Sequence, residues 1–149
     1  MELNFPSRMP QPADAPEDLL KGFNIKPITV LKSRDYFLVY EDEEQVRALP
    51  ADFIYLNKVQ SIGIIVTAKG NAVDFVSRFF VPNSVIGEDP VTGSAHCSLI
   101  PYWAEQLNKS MLTAQQVSSR HGELFCEHKG DRVTMAGNAV LYLKGEYYL

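Results

Sequence analysis

The stretch Ser61 to Thr67 is almost wholly apolar, with Ile62, Ile64, Ile65 and Val66 in close succession. Such a run is the pattern of a strand covered on both faces, which demands packing material on each side of its sheet. Asp74 to Val81 follows and alternates in part, with Phe75, Ser77, Phe79 and Val81 on one side and Val76, Arg78 and Phe80 on the other. From Ser94 the period changes. Cys97, Ile100, Ala104 and Leu107 recur at helical spacing with Trp103 beside them, which predicts a central helix over Ser94 to Leu107. Pro101 lacks the amide that would bond the Cys97 carbonyl and so invites a kink there.

The flanks read as strands and short helices. Ile28 to Leu31 and Tyr36 to Tyr40 are rich in β-branched and aromatic residues, and the polar Lys32-Ser33-Arg34-Asp35 between them predicts a hairpin. Glu41 to Leu49 suits a short surface helix, and Phe53 to Val59 another turn. Past Asn108, strands are predicted at Gln116 to Ser119, Glu123 to Glu127, Arg132 to Met135 and Ala139 to Leu143, separated by Gly122, Gly130 and Gly137. Near the start, Glu2 to Phe5 alternates like a strand. Pro6, Pro10, Pro12 and Pro16 then exclude helix or central strand, leaving an extended connector over residues 6–16. Glu17 to Lys21 reads as one helical turn, with Gly22 at the place of a C-cap. Strands, one long helix and strands again give an α+β fold.

Composition narrows the function classes. A chain of 149 residues with 46% hydrophobic and 21% charged residues forms one packed core. Its net charge of -4 supplies no broad basic footprint for nucleic acid or for an anionic membrane surface. Two cysteines, Cys97 and Cys126, are too few for a disulfide scaffold and suit a reducing compartment. No basic-then-apolar leader and no apolar run near the ~20 residues of a membrane span is seen, so cytoplasm is the expected address.

The segment that carries chemistry is Gly87-Glu88-Asp89-Pro90-Val91-Thr92-Gly93-Ser94-Ala95-His96, between a strand and the central helix. Two carboxylates precede a proline that holds Asp89 extended. Gly93 permits close backbone approach, and Thr92 and Ser94 carry hydroxyls able to cap the helix. Free amides at a helix start favour a carboxylate or phosphate, and an acid or base beside them is the minimum for proton transfer on a small carboxylic acid. The same residues are also ordinary loop and cap chemistry. Neither a Walker loop nor a dinucleotide fingerprint is present. His96, His121 and His128 with the two cysteines lack metal-ligand spacing, so no metal is expected. Cys97 and Trp103 read as core residues. Tyr142, Tyr147 and Tyr148 read as strand packing or a subunit contact.

Asp74 to Pro82, Gly87 to His96 and Pro101-Tyr102-Trp103-Ala104 together resemble the PhzF-like family of phenazine-biosynthesis proteins. Gln116, Gly122-Glu123-Leu124, Asp131-Arg132-Val133, Gly137, Ala139-Val140 and Gly145-Glu146 extend the resemblance over the rest of the chain. It implies a diaminopimelate-epimerase-like lobe, with mostly antiparallel strands wrapped around the central helix. It also implies a cofactor-independent isomerase acting on a small carboxylic acid. Carried over by motif, Asp89 and Ser94 are the catalytic candidates, while Thr92, Gly93, Ala95 and His96 are the substrate-binding candidates, chiefly through their amides. Family members are about twice as long, and their first half carries the glutamate that serves as general acid/base. On this reading, residues 1–16 are a connector and strand from a missing first lobe, and residues 17–149 are the second lobe. Two arrangements would complete it: a separate chain bearing the first lobe, or a homodimer that restores two facing lobes. A non-catalytic carboxylate-binding or vestigial domain is the alternative.

Overall fold

The structure, a computed structural model, describes residues 1–147. Ten strands form one mixed sheet: β1 (Glu2–Pro6), β2 (Gln11–Pro12), β3 (Thr29–Lys32), β4 (Tyr36–Val39), β5 (Ile64–Lys69), β6 (Phe75–Phe80), β7 (Glu88–Asp89), β8 (Met111–Gln116), β9 (Gly122–Lys129) and β10 (Arg132–Ala136). Their spatial order is β1-β10-β9-β8-β6-β5-β4-β3-β2, with β7 appended to β6. The β4–β5 and β6–β8 pairings are parallel, and the others are antiparallel. Four helices complete the fold: α1 (Glu17–Lys21), α2 (Glu43–Ala48), α3 (Phe53–Leu56) and α4 (Gly93–Leu107).

The alternation within each strand explains the layering. Leu31, Phe37, Val39, Ile65, Phe75, Phe79, Leu112, Leu124, Val133 and Met135 point to one face and pack with Leu99, Ile100 and Trp103 of α4. Strands β3, β4, β5, β6, β8, β9 and β10 all contribute to that cluster, so the sheet curls around the helix. Leu38, Ile64, Val66, Val76 and Phe80 point the other way and meet Leu19, Val46 and Leu56 of the three short helices. β4 and the first five residues of β5 are therefore buried throughout, as the apolar run requires. The strand begins at Ile64; Ile62 lies before it and is exposed.

The proline-rich connector is not a passive spacer. β1 pairs with β10 at one end of the sheet, and β2 pairs with β3 at the other. Between them the chain crosses α4, with the Ser7 amide donating to the Asp131 carbonyl and the Arg8 amide donating to the Cys97 carbonyl, each at 2.8 Å. Cys97 is four residues before Pro101, so its carbonyl is the one the proline leaves without an intrahelical donor. Arg8 supplies that donor, and α4 runs unbroken from Gly93 to Leu107.

Three sequence expectations change. The strand predicted at Gln116 to Ser119 lies earlier, at Met111–Gln116, because the short Ala114 and exposed Met111 hide its alternation. Ala139 to Leu143 forms no strand, and Val140, Leu141, Tyr142 and Leu143 are exposed. Gly22 does follow α1, but with φ -67° it is right-handed, so no left-handed cap requires glycine. Packing does: a Cβ there would lie 2.1 Å from Leu56 Cδ2. Tyr147 is exposed, and Tyr148 lies outside the described residues.

Candidate active site

The connection from β6 through β7 and α4 to the parallel neighbour β8 is a βαβ crossover, whose loop at the carboxyl end of the first strand is a common place for ligand sites. In this loop Gly87 has φ +64°, a conformation that favours glycine, and turns the chain into β7. Because β7 is extended, its two adjacent carboxylates point to opposite faces. The structure thereby separates Glu88 from Asp89.

Glu88 is a bracing residue. Its carboxylate accepts from Arg78 Nε at 2.7 Å and Nη2 at 2.9 Å, while Arg78 Nη1 donates to the carbonyls of Leu49 at 2.6 Å and Val46 at 3.2 Å. This bidentate pair ties the loop to α2, on the face opposite α4.

Asp89 pairs with Phe79, on the α4 side. The Thr92 hydroxyl donates to Asp89 Oδ2 at 2.5 Å and makes no cap bond to the helix, contrary to the capping role its position suggests. Gln116, fully buried at the end of β8, does the remaining bracing. Its Oε1 accepts the Thr92 amide at 2.8 Å, and its Nε2 donates to the Asp89 carbonyl at 2.7 Å and to Thr92 Oγ1 at 3.1 Å. Ser118 Oγ adds a bond to the Pro90 carbonyl at 2.8 Å. Every polar atom of the Gln116 amide is used, and Asp89 is left half-buried with Oδ1 unpartnered among the described residues.

The leading amides of α4 have no acceptor within the helix, as in any helix start. Gly93 and Ser94 are partly exposed there, whereas Ala95 and His96 are buried. The accessible part of the helix start is therefore Gly93 and Ser94, and Ala95 and His96 present neither side chain nor backbone at the surface. Nδ1 of His96 lies 2.8 Å from the Thr92 carbonyl and carries the proton, since a carbonyl only accepts. Burial, opposed by that hydrogen bond, pushes the imidazole pKa down to about 4, so the ring is neutral near pH 7 and Nε2 is a buried, unpartnered acceptor. A cavity of about 540 Å³ opens beside Val91 and Gly93, bounded also by Met1, His121, Gly122 and Met135. A Cβ at Gly93 would touch only Met135 Sδ, at 3.6 Å, so the room at this position faces the cavity.

On the other flank of the helix start stands the tip of the β3–β4 hairpin, which the sequence presents only as a polar turn. Ser33 Oγ lies 2.9 Å from Ser98 Oγ, and Arg34 Nη2 donates to Ser94 Oγ at 2.9 Å. The nearly buried Asp35 holds the same guanidinium through Nε and Nη2 at distances from 2.7 to 3.2 Å. His121, at φ +54°, borders the cavity and lies 3.3 Å from Arg47 Nη1 through Nε2. Burial raises the Cys97 thiol, only partly offset by Arg8 and Arg34, which fits a core residue more than a nucleophile. Among the described residues, no three His, Cys, Asp or Glu side chains converge as a metal site, and no helix is long and apolar enough to cross a membrane.

Residues 7–145 match the family described as "Phenazine biosynthesis-like protein". An uncharacterized isomerase of Pseudomonas aeruginosa is 51% identical over 148 residues, which is 99% of this chain and 57% of that protein. A second from the same organism is 44% identical over all of this chain and 58% of its own length. Among solved structures, a PhzF-family phenazine biosynthesis protein of Enterococcus faecalis superposes with a TM-score of 0.90 at 45% identity, over 99% of this chain and 57% of that one. A putative PhzC/PhzF protein of Clostridium difficile gives 0.87 at 40% identity, with the same coverage. The chain thus spans less than three fifths of the length of these relatives.

Proposed function

Because the chain belongs to the phenazine biosynthesis-like family, whose relatives include proteins named as isomerases, we propose that it forms the Asp89–Ser94 half of an isomerase site for a small carboxylic acid. The observation that carries this reading is the braced Asp89. Its carboxylate accepts from the Thr92 hydroxyl and its main-chain carbonyl from Gln116, one carboxylate oxygen remains open, and a cavity adjoins the loop. The first-turn amides hold the substrate carboxylate. A glutamate from the portion of the relatives' length not spanned here removes a proton from one carbon and returns it to another. Asp89 and Ser94 position the substrate during this exchange, which takes up and releases no net proton and needs no cofactor.

Isotope exchange tests the proposal. This chain is mixed with the first-lobe polypeptide of a relative in D2O, a panel of small carboxylic acids is added, and deuterium incorporation is followed by mass spectrometry. Incorporation into at least one acid is expected only when both polypeptides are present, and its loss is expected with Asp89→Asn. No incorporation across the panel would overturn the reading.

A further inference from the structure

Arg34 comes from a separate element, yet its planar head group is fixed at the catalytic loop. A guanidinium has five N–H donors in a rigid fork. Asp35 takes the Nε/Nη2 edge, and Nη2 also reaches Ser94 Oγ at 2.9 Å. Nη1 has no partner among the described residues, and the Arg34 side chain keeps 34% of its surface exposed. Asp35, only 3% exposed in its side chain, is the anchor that prevents the long arginine from swinging away. The contact also decides the state of Ser94. With one lone pair of Oγ occupied by the arginine, the hydroxyl proton points away from Arg34, which leaves Ser94 able to donate to a ligand.

We propose that Arg34 is a specificity-determining residue of this site, recognising the ligand's carboxylate through Nη1 while fixing Ser94 as a second donor to it. This rests on the reading of the site as a small-carboxylate site and adds what selects the acid over a neutral analogue. The recognition is mainly geometric, because Asp35 already balances the arginine charge: the two oxygens of a carboxylate can each take one of the two donors, Arg34 Nη1 and the Ser94 hydroxyl, whereas an amide offers one oxygen and an N–H that meets a donor.

Titrations of the chain with benzoate and with benzamide, read by calorimetry and by NMR shifts of the Gly93 and Ser94 amides, test this. The wild-type chain is expected to prefer benzoate by about tenfold or more, the discrimination given by one charge-assisted bond at ~1.4 kcal/mol per tenfold. Arg34→Gln is expected to bring benzoate down to the benzamide level, and Arg34→Lys to restore only part of the preference. Since Arg34→Gln leaves a buried carboxylate unpaired, the pair Arg34→Gln with Asp35→Asn serves as the fold control and should lose the preference equally while keeping a cooperative thermal transition. Retention of the benzoate preference in that double variant overturns the role of Arg34 and leaves the carboxylate-site reading intact. Failure of the wild-type chain to bind benzoate removes both.

Discussion

The side-chain oxygen of Gln116 accepts the Thr92 amide at 2.8 Å, so the residue that opens α4 is held from strand β8 while its own side chain makes no cap bond. Gln116→Leu keeps the volume but strands the Thr92 amide and the Asp89 carbonyl in a buried setting. A loss of about 2–4 kcal/mol in denaturant unfolding is expected from two unsatisfied groups. A change below experimental error would show that the loop is held by other contacts.

The two neighbouring carboxylates should separate by phenotype. Glu88→Gln disrupts the bidentate pair with Arg78 and is expected to lower stability by ~1–3 kcal/mol, because Arg78 is left partly buried beside it. Asp89→Asn retains the Thr92 contact in neutral form, so its effect should fall on isotope exchange, with thermal stability within ~1 kcal/mol of wild type. Equal stability losses in the two variants would contradict the division of roles.

Acid should weaken the fold through His96. The ring's pKa is about 4 in the folded chain against an ordinary 6.5, so between these values the unfolded chain binds more protons and stability falls as pH falls. The contribution is complete above pH ~6.5 and is lost by pH ~4, amounting to roughly 3 kcal/mol. Comparing urea unfolding of wild type and His96→Leu from pH 7 to pH 4 isolates it, because the carboxylates contribute equally to both proteins and cancel in the difference. Parallel curves for the two proteins would refute the assignment.

Arg8 and Pro101 should be energetically coupled. Arg8→Pro removes the amide that serves the Cys97 carbonyl and is expected to cost about 1–3 kcal/mol. In the Pro101→Ala background, residue 101 regains an amide able to serve that carbonyl within α4, so the cost of Arg8→Pro should shrink by about half or more. A double-mutant cycle with no interaction energy would rule out the exchange of donors.

Gly22→Ala is expected to destabilise by ~1–3 kcal/mol through overlap with Leu56, whose Cδ2 lies 2.1 Å from the new Cβ. Leu56→Ala should be costly alone but should cancel most of the added cost of Gly22→Ala, since the overlap is gone. Additive losses in differential scanning calorimetry would point instead to a backbone cause.

Much of this fold is written in periodicity. The two-faced strand, the alternating β6 and the buried helix all appear in the sequence because each buries side chains at a regular interval. The loop from Gly87 to His96 is legible as chemistry for the same local reason: its residue types are unusual together. What the sequence hides is long-range polar pairing. Gln116 is 24 residues from Thr92 and Arg34 is 60 from Ser94, and nothing in either neighbourhood marks the partner. One signal for Gln116 was present, an amide at the inward position after Leu112 and Ala114, but only a known strand register makes it visible. The sidedness of Glu88 and Asp89 was hidden likewise, because a two-residue strand leaves no period to read. Ala139 to Leu143 shows the converse, a strand-like composition with no strand beside it to pair with among the described residues.

The connector that joins β1 to β2 makes the enclosure of α4 a matter of topology as well as packing. One covalent stretch ends on both rims of the curled sheet and passes over the helix at Arg8, so backbone encircles α4 where the ladder of strand pairs leaves a gap. The helix cannot leave that ring, or enter it, while both rims are fastened. Closure of the belt must therefore follow placement of the helix, although its residues precede the helix in the sequence.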